Sequence, residues 1–398
     1  MTQTSQTQDS TQTQLPSRLL FPSDVPGFKI PPTLGSNASS WQTQMVVLSR
    51  TAAPGKVIKT VVPLMDTAGA VLVYGPEQST RIPGAKRDTV LLEGGEGGFR
   101  LTPLHRNRTF TSSIVRPGGA GQIFYFDRWG IHVYALETNG EKLGVAVYED
   151  IQGAAFNPDG SKLYVRSAEH GLGCYKIEAE DGDVKLNQEL RFGNLDKSSE
   201  MGAAVAYSTC QGAGHCVFTI SGAQCARINF PQPGVTQFKI LSPLDPENCP
   251  LAIACQPNPL KDVQAVYAGL GPYAYLIGKE GIEWRKVRIA LDGAVVGANG
   301  VAFLDPDICL GWVERKLFAF RVHPVAVALP VKFRSRPGGP SLSQAPMKRP
   351  PRFQEEPKTP NFLAQWAPPD DMRIRNVQVL GGQILVYVSQ KDPLQTTD

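Results

Sequence analysis

The sequence has no long apolar run: nothing approaches the roughly 18–20 residues that a membrane span needs. Its first residues, MTQTSQTQDSTQTQLP, hold no apolar stretch either, so no secretory leader is expected. Charge of one sign is not in excess. Forty basic and 36 acidic residues leave a net charge of +4 over 398 residues, too weak and too spread out to imply a nucleic-acid partner by itself. Histidine is scarce, with five in the chain. Gly-x-Ser-x-Gly is absent, and no Gly-x-Gly-x-x-Gly or phosphate-loop motif stands in a strand-to-helix context. The seven cysteines are odd in number and come without an export signal, which fits reduced thiols in the cytoplasm or nucleus. With 41% apolar residues the chain can bury a large core, and it reads as a soluble intracellular protein.

What the sequence does have is one turn pattern used many times. AAFNPDGSKLYV (154–165) is an apolar strand, an Asn-Pro-Asp-Gly turn and a second apolar strand. Pro158 presets φ, Asp159 tolerates turn geometry, and Gly160 supplies a positive φ. The same plan recurs in VVPLMDTAGAVLVY (61–74), SSIVRPGGAGQIFYF (112–126), AIACQPNPLKDVQAVYA (252–268) and VAFLDPDICLGWV (301–313). AAVAYSTCQGAGHCVFTI (203–220) repeats it without the proline. A second series follows each hairpin on a strand of its own: GIHVYAL from Gly130, GLGCYKI from Gly171, GAQCARI from Gly222, GPYAYLI from Gly271 and KLFAFRV from Lys316. A third series precedes the hairpins, as in LGVAVYE (143–149), FKILS (238–242) and VRIAL (287–291), and is grouped here with the hairpin it precedes.

Four strands per unit at a period of roughly 40–50 residues is the pattern of β-propeller blades. A single four-stranded sheet cannot bury both of its faces, so neighbours must cover it and the ring must close. Six units run from Val61 to Val322. A seventh takes VAVALPVKF (325–333) as its inner strand and RNVQVLGGQILVYV (375–388) as its hairpin, with TQMVVLS (43–49) from the other end supplying the missing outer strand. The expected fold is therefore all-β: a seven-bladed β-propeller over 41–398 closed by the N-terminal strand. Residues 1–40 form a disordered Thr/Gln-rich tail, and 335–373 a Pro-rich insertion in the last blade. A β-sandwich could use the same strands, but sandwiches rarely keep three strand motifs in phase. The plan resembles the WD-repeat and YVTN-type propeller superfamily, and FNPDGSKLYV is similar to the hairpin motif of the YVTN and lactonase-like branch. Trp-Asp pairs at strand ends and Gly-His dipeptides before the blades are missing. The resemblance implies a fold rather than an activity.

No residue is assigned a catalytic role. In the propeller reading His170 and His215 fall in connections on opposite faces, which argues against a shared catalytic centre. CQGAGHC brings Cys210, His215 and Cys216 together, but the spacing is not that of a zinc ribbon or finger. Cys225 and Cys255 occupy apolar strand positions, where cysteine is a small core residue. No metal or cofactor is expected. GGEGG (94–98) reads as an inter-blade loop.

Binding is read from two segments. Thr11, Gln12 and Thr13 lie in a tail of repeated Thr/Ser-Gln dipeptides. These resemble checkpoint-kinase sites, and the TQT triplets resemble ligands of the dynein light chain, in which an extended peptide adds a strand to a sheet edge. The second segment carries the basic residues Lys348, Arg349 and Arg352, then Phe353, Phe362, Leu363 and Trp366 as aromatic and apolar anchors. The function expected is a non-catalytic scaffold with protein partners in a multi-subunit assembly of the nucleus or cytoplasm. A lactonase-like enzyme and a nucleic-acid-associated subunit are the alternatives.

Overall fold

The computed structural model describes residues 18–20, 42–48, 55–76, 85–95, 98–167, 170–180, 182–192, 204–210, 214–221, 224–232, 235–243, 250–255, 265–269, 273–280, 283–290, 298–305, 308–321 and 362–390. Every regular element among them is a β-strand. The NPDG turn at 157–160 forms as its residues dictate. Gly160 sits at φ 69°, and its amide donates to Asn157 O at 3.0 Å. The Asn157 side chain accepts from the Lys162 amide at 2.7 Å. A Cβ on Gly160 would meet Pro117 O at 2.8 Å, so the preceding hairpin presses on this turn. Gly160→Ala is expected to cost about 1–2 kcal/mol through the left-handed φ alone, read as a lowered unfolding midpoint.

The described strands form seven four-stranded sheets. β1 (Arg18–Leu20) and β2 (Gln42–Val47) come first and belong to the last sheet. Sheet I is β3 (Lys56–Pro63), β4 (Gly69–Pro76), β5 (Lys86–Gly95) and β6 (Gly98–Thr109). Sheet II is β7 (Ser112–Val115), β8 (Gln122–Phe126), β9 (Gly130–Ala135) and β10 (Lys142–Val147). Sheet III is β11 (Ile151–Phe156), β12 (Lys162–Ser167), β13 (Gly171–Glu180) and β14 (Asp183–Phe192). Sheet IV is β15 (Ala204–Cys210), β16 (Gly214–Ser221), β17 (Gln224–Gln232) and β18 (Val235–Pro243). Sheet V is β19 (Pro250–Cys255), β20 (Ala265–Gly269), β21 (Tyr273–Glu280) and β22 (Glu283–Ala290). Sheet VI is β23 (Gly300–Asp305), β24 (Ile308–Val313), β25 (Lys316–Arg321) and β26 (Phe362–Trp366). Sheet VII runs β27 (Met372–Leu380), β28 (Gln383–Gln390), β2, β1. First strands of successive sheets lie against one another, β11 on β15, β15 on β19, β19 on β23, β23 on β27 and β27 on β3.

The hairpins are where the sequence puts them, but their grouping shifts by one strand. LGVAVYE does not join the hairpin after it. As β10 it pairs with β9 and ends sheet II, and β18 and β22 likewise end sheets IV and V. The β9–β10 turn is tight without a proline: Asn139 takes φ 52° and Ala135 N donates to Glu141 O. Gly94 and Gly95 of GGEGG pair with Phe99 and Gly98, so that stretch closes the β5–β6 hairpin within sheet I and does not link sheets.

The core is built between sheets. Second strands are covered on both faces, and so they read as unbroken apolar runs. In β8, Ile123 and Tyr125 pack with Val71, Val73 and Leu91 of sheet I. Phe124 and Phe126 point the other way, into a cluster with Phe156, Leu163 and Val165 of sheet III. In β28, Ile384 and Val386 pack on Leu310 and Trp312 of sheet VI. Leu385 and Tyr387 pack on Ile58, Leu72 and Tyr74 of sheet I.

Sheet VII joins the two ends of the chain. TQMVVLS joins it, not as the expected outer strand but as the third, and β2 runs parallel to β28, from Gln42 opposite Gln383 to Val47 opposite Val388. The direction follows from the connection. A fourth strand always runs toward the start of the next first strand, and β2 has only residues 49–55 in which to reach β3. It must therefore run as a fourth strand does, although it fills a third-strand position. β1, within the stretch expected to be a disordered tail, pairs antiparallel with β2. Residues 325–333, expected as an inner strand, lie outside the described residues. The Pro-rich segment falls between β25 and β26 of sheet VI, and its end at 362–366 is itself a strand.

Candidate functional site

The tightest polar cluster among the described residues resembles a catalytic dyad and is not one. His105 on β6 is 2% exposed. Its Nε2 donates to Gly140 O at 3.1 Å, which leaves Nδ1 to accept from the Tyr125 hydroxyl at 2.8 Å. Thr89 Oγ1, 2.9 Å away, then donates to Tyr125 and itself accepts from the His105 amide. Every donor is used, so the imidazole is neutral and saturated. Burial lowers the His105 pKa, with the nearby Arg108 charge adding to the effect against the Gly140 hydrogen bond. Burial raises that of Tyr125. The cluster fastens sheet I to sheet II and presents nothing to a substrate.

Two of the described thiols, Cys174 and Cys309, are equally closed. Burial pushes Cys174 up to about 12 and raises Cys309 as well, so neither is a thiolate at neutral pH. The side chains of Cys210, His215, Cys216 and Cys225 lie outside the described residues, as do Cys249 and His323. Among the described residues no three His, Cys, Asp or Glu side chains are grouped to hold a metal ion.

One loop face does present unusual chemistry. Asp127 begins the β8–β9 turn, and its Oδ1 accepts from the amides of Trp129 (2.8 Å) and Gly130 (3.0 Å). Its Oδ2 lies 2.8 Å from His132 Nε2. This carboxylate fixes a tight turn, and the turn tip throws the Trp129 side chain into solvent, 64% exposed. The Arg128 guanidinium lies over the Trp129 ring at 5.1 Å. The Arg128 carbonyl accepts from the amide of Asp150 at 3.4 Å, which ties the turn to the 148–150 connection. Asp150 holds φ 50° there.

On the far side of that connection stands a second group. The buried Tyr148 hydroxyl lies 3.3 Å from Gly171 O and 3.4 Å from His170 O. Burial pushes its pKa up to about 12. His170 Nδ1 accepts from the Arg191 guanidinium, and Nε2 lies 4.0 Å from Glu149 Oε2. The rings of Tyr148 and His170 meet edge-on at 5.6 Å. Arg128, Trp129, Glu149, His170 and Arg191 thus form one continuous surface across sheets II and III. It offers an aromatic plate, two guanidinium groups and a carboxylate on a rigid base. Such a surface suits peptide recognition.

Of the binding residues singled out from sequence, Trp366 alone has a described side chain. Thr11, Gln12, Thr13, Lys348, Arg349, Arg352 and Phe353 lie outside the described residues. Phe362 and Leu363 fall on β26, and their side chains are not described. Trp366 is no exposed anchor: it is 6% exposed and packs with Trp312, Leu317 and Val386 in the core of sheets VI and VII. Its strand pairs with β25 as the last strand of sheet VI, and there the indole gains more by leaving water than it would as an exposed anchor. Trp129 was missed, although its signal was present: a large aromatic between Asp and Gly at a hairpin tip, where no neighbouring strand can cover it.

No family model matches the chain, and no curated protein matches it. Among solved structures it is similar to a crystal structure of Sqt1 from Chaetomium thermophilum, at 13% identity and a TM-score of 0.52, covering 84% of this chain and 83% of that one. A second crystal structure of the same protein gives 13% identity and a TM-score of 0.52, covering 86% and 84%. A third, of Sqt1 bound to the N-terminus of the ribosomal protein L10, gives 12% identity and a TM-score of 0.52, covering 84% of both chains. Sqt1 is a WD40 propeller protein. At such identities the likeness concerns architecture alone, and with the four-stranded sheets it points to a β-propeller type of fold.

Proposed function

We propose that the chain is a closed seven-bladed propeller serving as a protein-binding scaffold in a cytoplasmic or nuclear assembly, and that a partner docks on the face carrying Trp129. The contacts of β27 with both β23 and β3 support closure. The hydrogen bonds from Asn376 to Val61 O (2.7 Å) and from Gln378 to Thr67 O (2.8 Å) support it as well. The observation that carries the binding role is the exposed Trp129 under its arginine. An aromatic–Arg pair on a rigid turn loses little entropy when it is covered and gains the full burial of the ring. The Sqt1 structure that holds a ribosomal-protein N-terminus is consistent with a propeller face receiving a peptide. The Thr11–Thr13 tail and the 348–353 run belong to the same proposal as auxiliary contacts.

The test is affinity purification from the protein's own cell extract at physiological salt, read by mass spectrometry, with four baits. These are the full chain, Trp129→Ala, a chain lacking residues 1–16 and one lacking 335–361. Trp129→Ala is expected to weaken the retained partner by about 30-fold, equivalent to roughly 2 kcal/mol for an interface hot spot. Partners kept by Trp129→Ala but lost with either deletion would move the site to that segment. No defined partner on any bait would overturn the scaffold reading.

A further inference from the structure

β10 is the terminal strand of sheet II and pairs only with β9 among the described strands. Open edges are ordinarily guarded by charge or proline. β14 reads DVKLNQELRF and β22 reads EWRKVRIA, whereas β10 after Lys142 is LGVAV. Val145 and Val147 are 55% and 79% exposed. The opposite face of β10 is already occupied, because a Cβ on Gly144 would meet Val184 O of sheet III at 2.2 Å.

The charge around this edge is arranged end to end. A bulge between Lys142 and Gly144 places Lys142 opposite Tyr134 and Val145 opposite His132, two residues apart on β9, so Lys142 shares a face with the valines. Among the described residues Lys142 makes no ion pair. Past the other end stands Glu149, its side chain 48% exposed. A cation, two valines and an acid in that order are self-complementary when reversed. An antiparallel second copy centred on Ala146 sets Val145 opposite Val147 and, allowing for the bulge, Lys142 opposite Glu149.

We propose that β10 is a self-association edge, through which two copies of this chain pair antiparallel about a twofold axis. A foreign peptide of uniform charge would match only one half of the edge, whereas a second copy matches both. One strand pair covers less than a standard interface, so the dimer is weak and depends on concentration. The inference does not depend on the partner-scaffold reading.

Sedimentation velocity on the full chain over a wide dilution series should show a monomer–dimer equilibrium. Val147→Lys should leave monomer at every concentration without lowering the unfolding midpoint, since the residue is largely exposed. Lys142→Glu and Glu149→Lys should each raise the dissociation constant about tenfold, each contact occurring twice across the axis. The double variant should restore dimerisation. Trp129→Ala should not affect it, which separates this result from the fate of the partner site. A wild-type chain that stays monomeric, a dimer indifferent to Val147→Lys, or a double variant that fails to rescue would each overturn the proposal.

Discussion

Tyr387→Ala should lower unfolding stability by about 3–5 kcal/mol, the range for deleting a fully buried aromatic. Against a total of roughly 5–15 kcal/mol, that is enough to unfold a large share of the molecules at physiological temperature. Tyr387 is 0% exposed, at the point where sheet VII meets sheet I. Its hydroxyl donates to Gln378 Oε1 at 2.6 Å, with Gly69 O 3.0 Å away. The Gln378 amide in turn donates to Leu64 O and Thr67 O. One side chain thus holds the orientation of another that stitches two sheets together. Tyr387→Phe keeps the ring and loses the donor, so it should cost only about 1–3 kcal/mol. Denaturant unfolding of both variants separates the packing contribution from the polar one. If the two lost equal amounts, the hydroxyl would be the only part that matters.

Tyr125→Ala should be comparably damaging, at about 3–5 kcal/mol, because it opens a cavity between sheets I and II and strips His105 of its donor. Its loss should also change how stability responds to acid. In the folded protein burial holds the His105 pKa below its ordinary value, while the unfolded chain binds a proton near the usual 6.5 or so. Below that pH the unfolded state takes up the proton first. The contribution of the neutral cluster is therefore complete above about 6.5 and declines as pH falls from there through the lowered folded value. Unfolding midpoints measured from neutral to mildly acidic pH should fall more steeply for the wild type than for His105→Leu. Parallel curves would show that His105 takes no part in the acid response.

Much of the fold could be read from the sequence because buried β-structure leaves a dense signal. QIFYF and QILVY are apolar at every position or nearly so, since each sits between two other sheets. The repeated turn-bearing apolar pairs gave the hairpins, and in the one Pro-Asp-Gly turn Gly160 took the positive φ expected of it. The grouping of strands was harder to see for a physical reason. The 148–150 connection between sheets II and III is as short as the turns within them, so spacing alone does not reveal where one sheet ends. Sheet I kept its third and fourth strands hidden because KRDTVLLEGG and GFRLTPLHRNRT mix charge with apolar residues. With β6 unrecognised, His105 could not be connected to Tyr125. The loop face stayed out of view because its parts come from four separate stretches, joined by one amide at Asp150 and one guanidinium at Arg191.

The parallel pairing of β2 with β28 also sets a timetable for synthesis. Gln42 finds its partner in Gln383, almost at the other end of the chain. A ribosome adding about 5–20 residues per second needs on the order of 20–70 s to make the stretch between them. Throughout that interval β2, with Val46 and the following Leu48 destined for burial, has only the three-residue β1 to pair with, and its other edge stays open. Sheets II to V can assemble from neighbouring hairpins as they emerge, and the fastening comes last. The newly made chain therefore carries its own unpaired edge for longer than any other part of the fold, and that is the interval in which a chaperone or a binding partner would meet it.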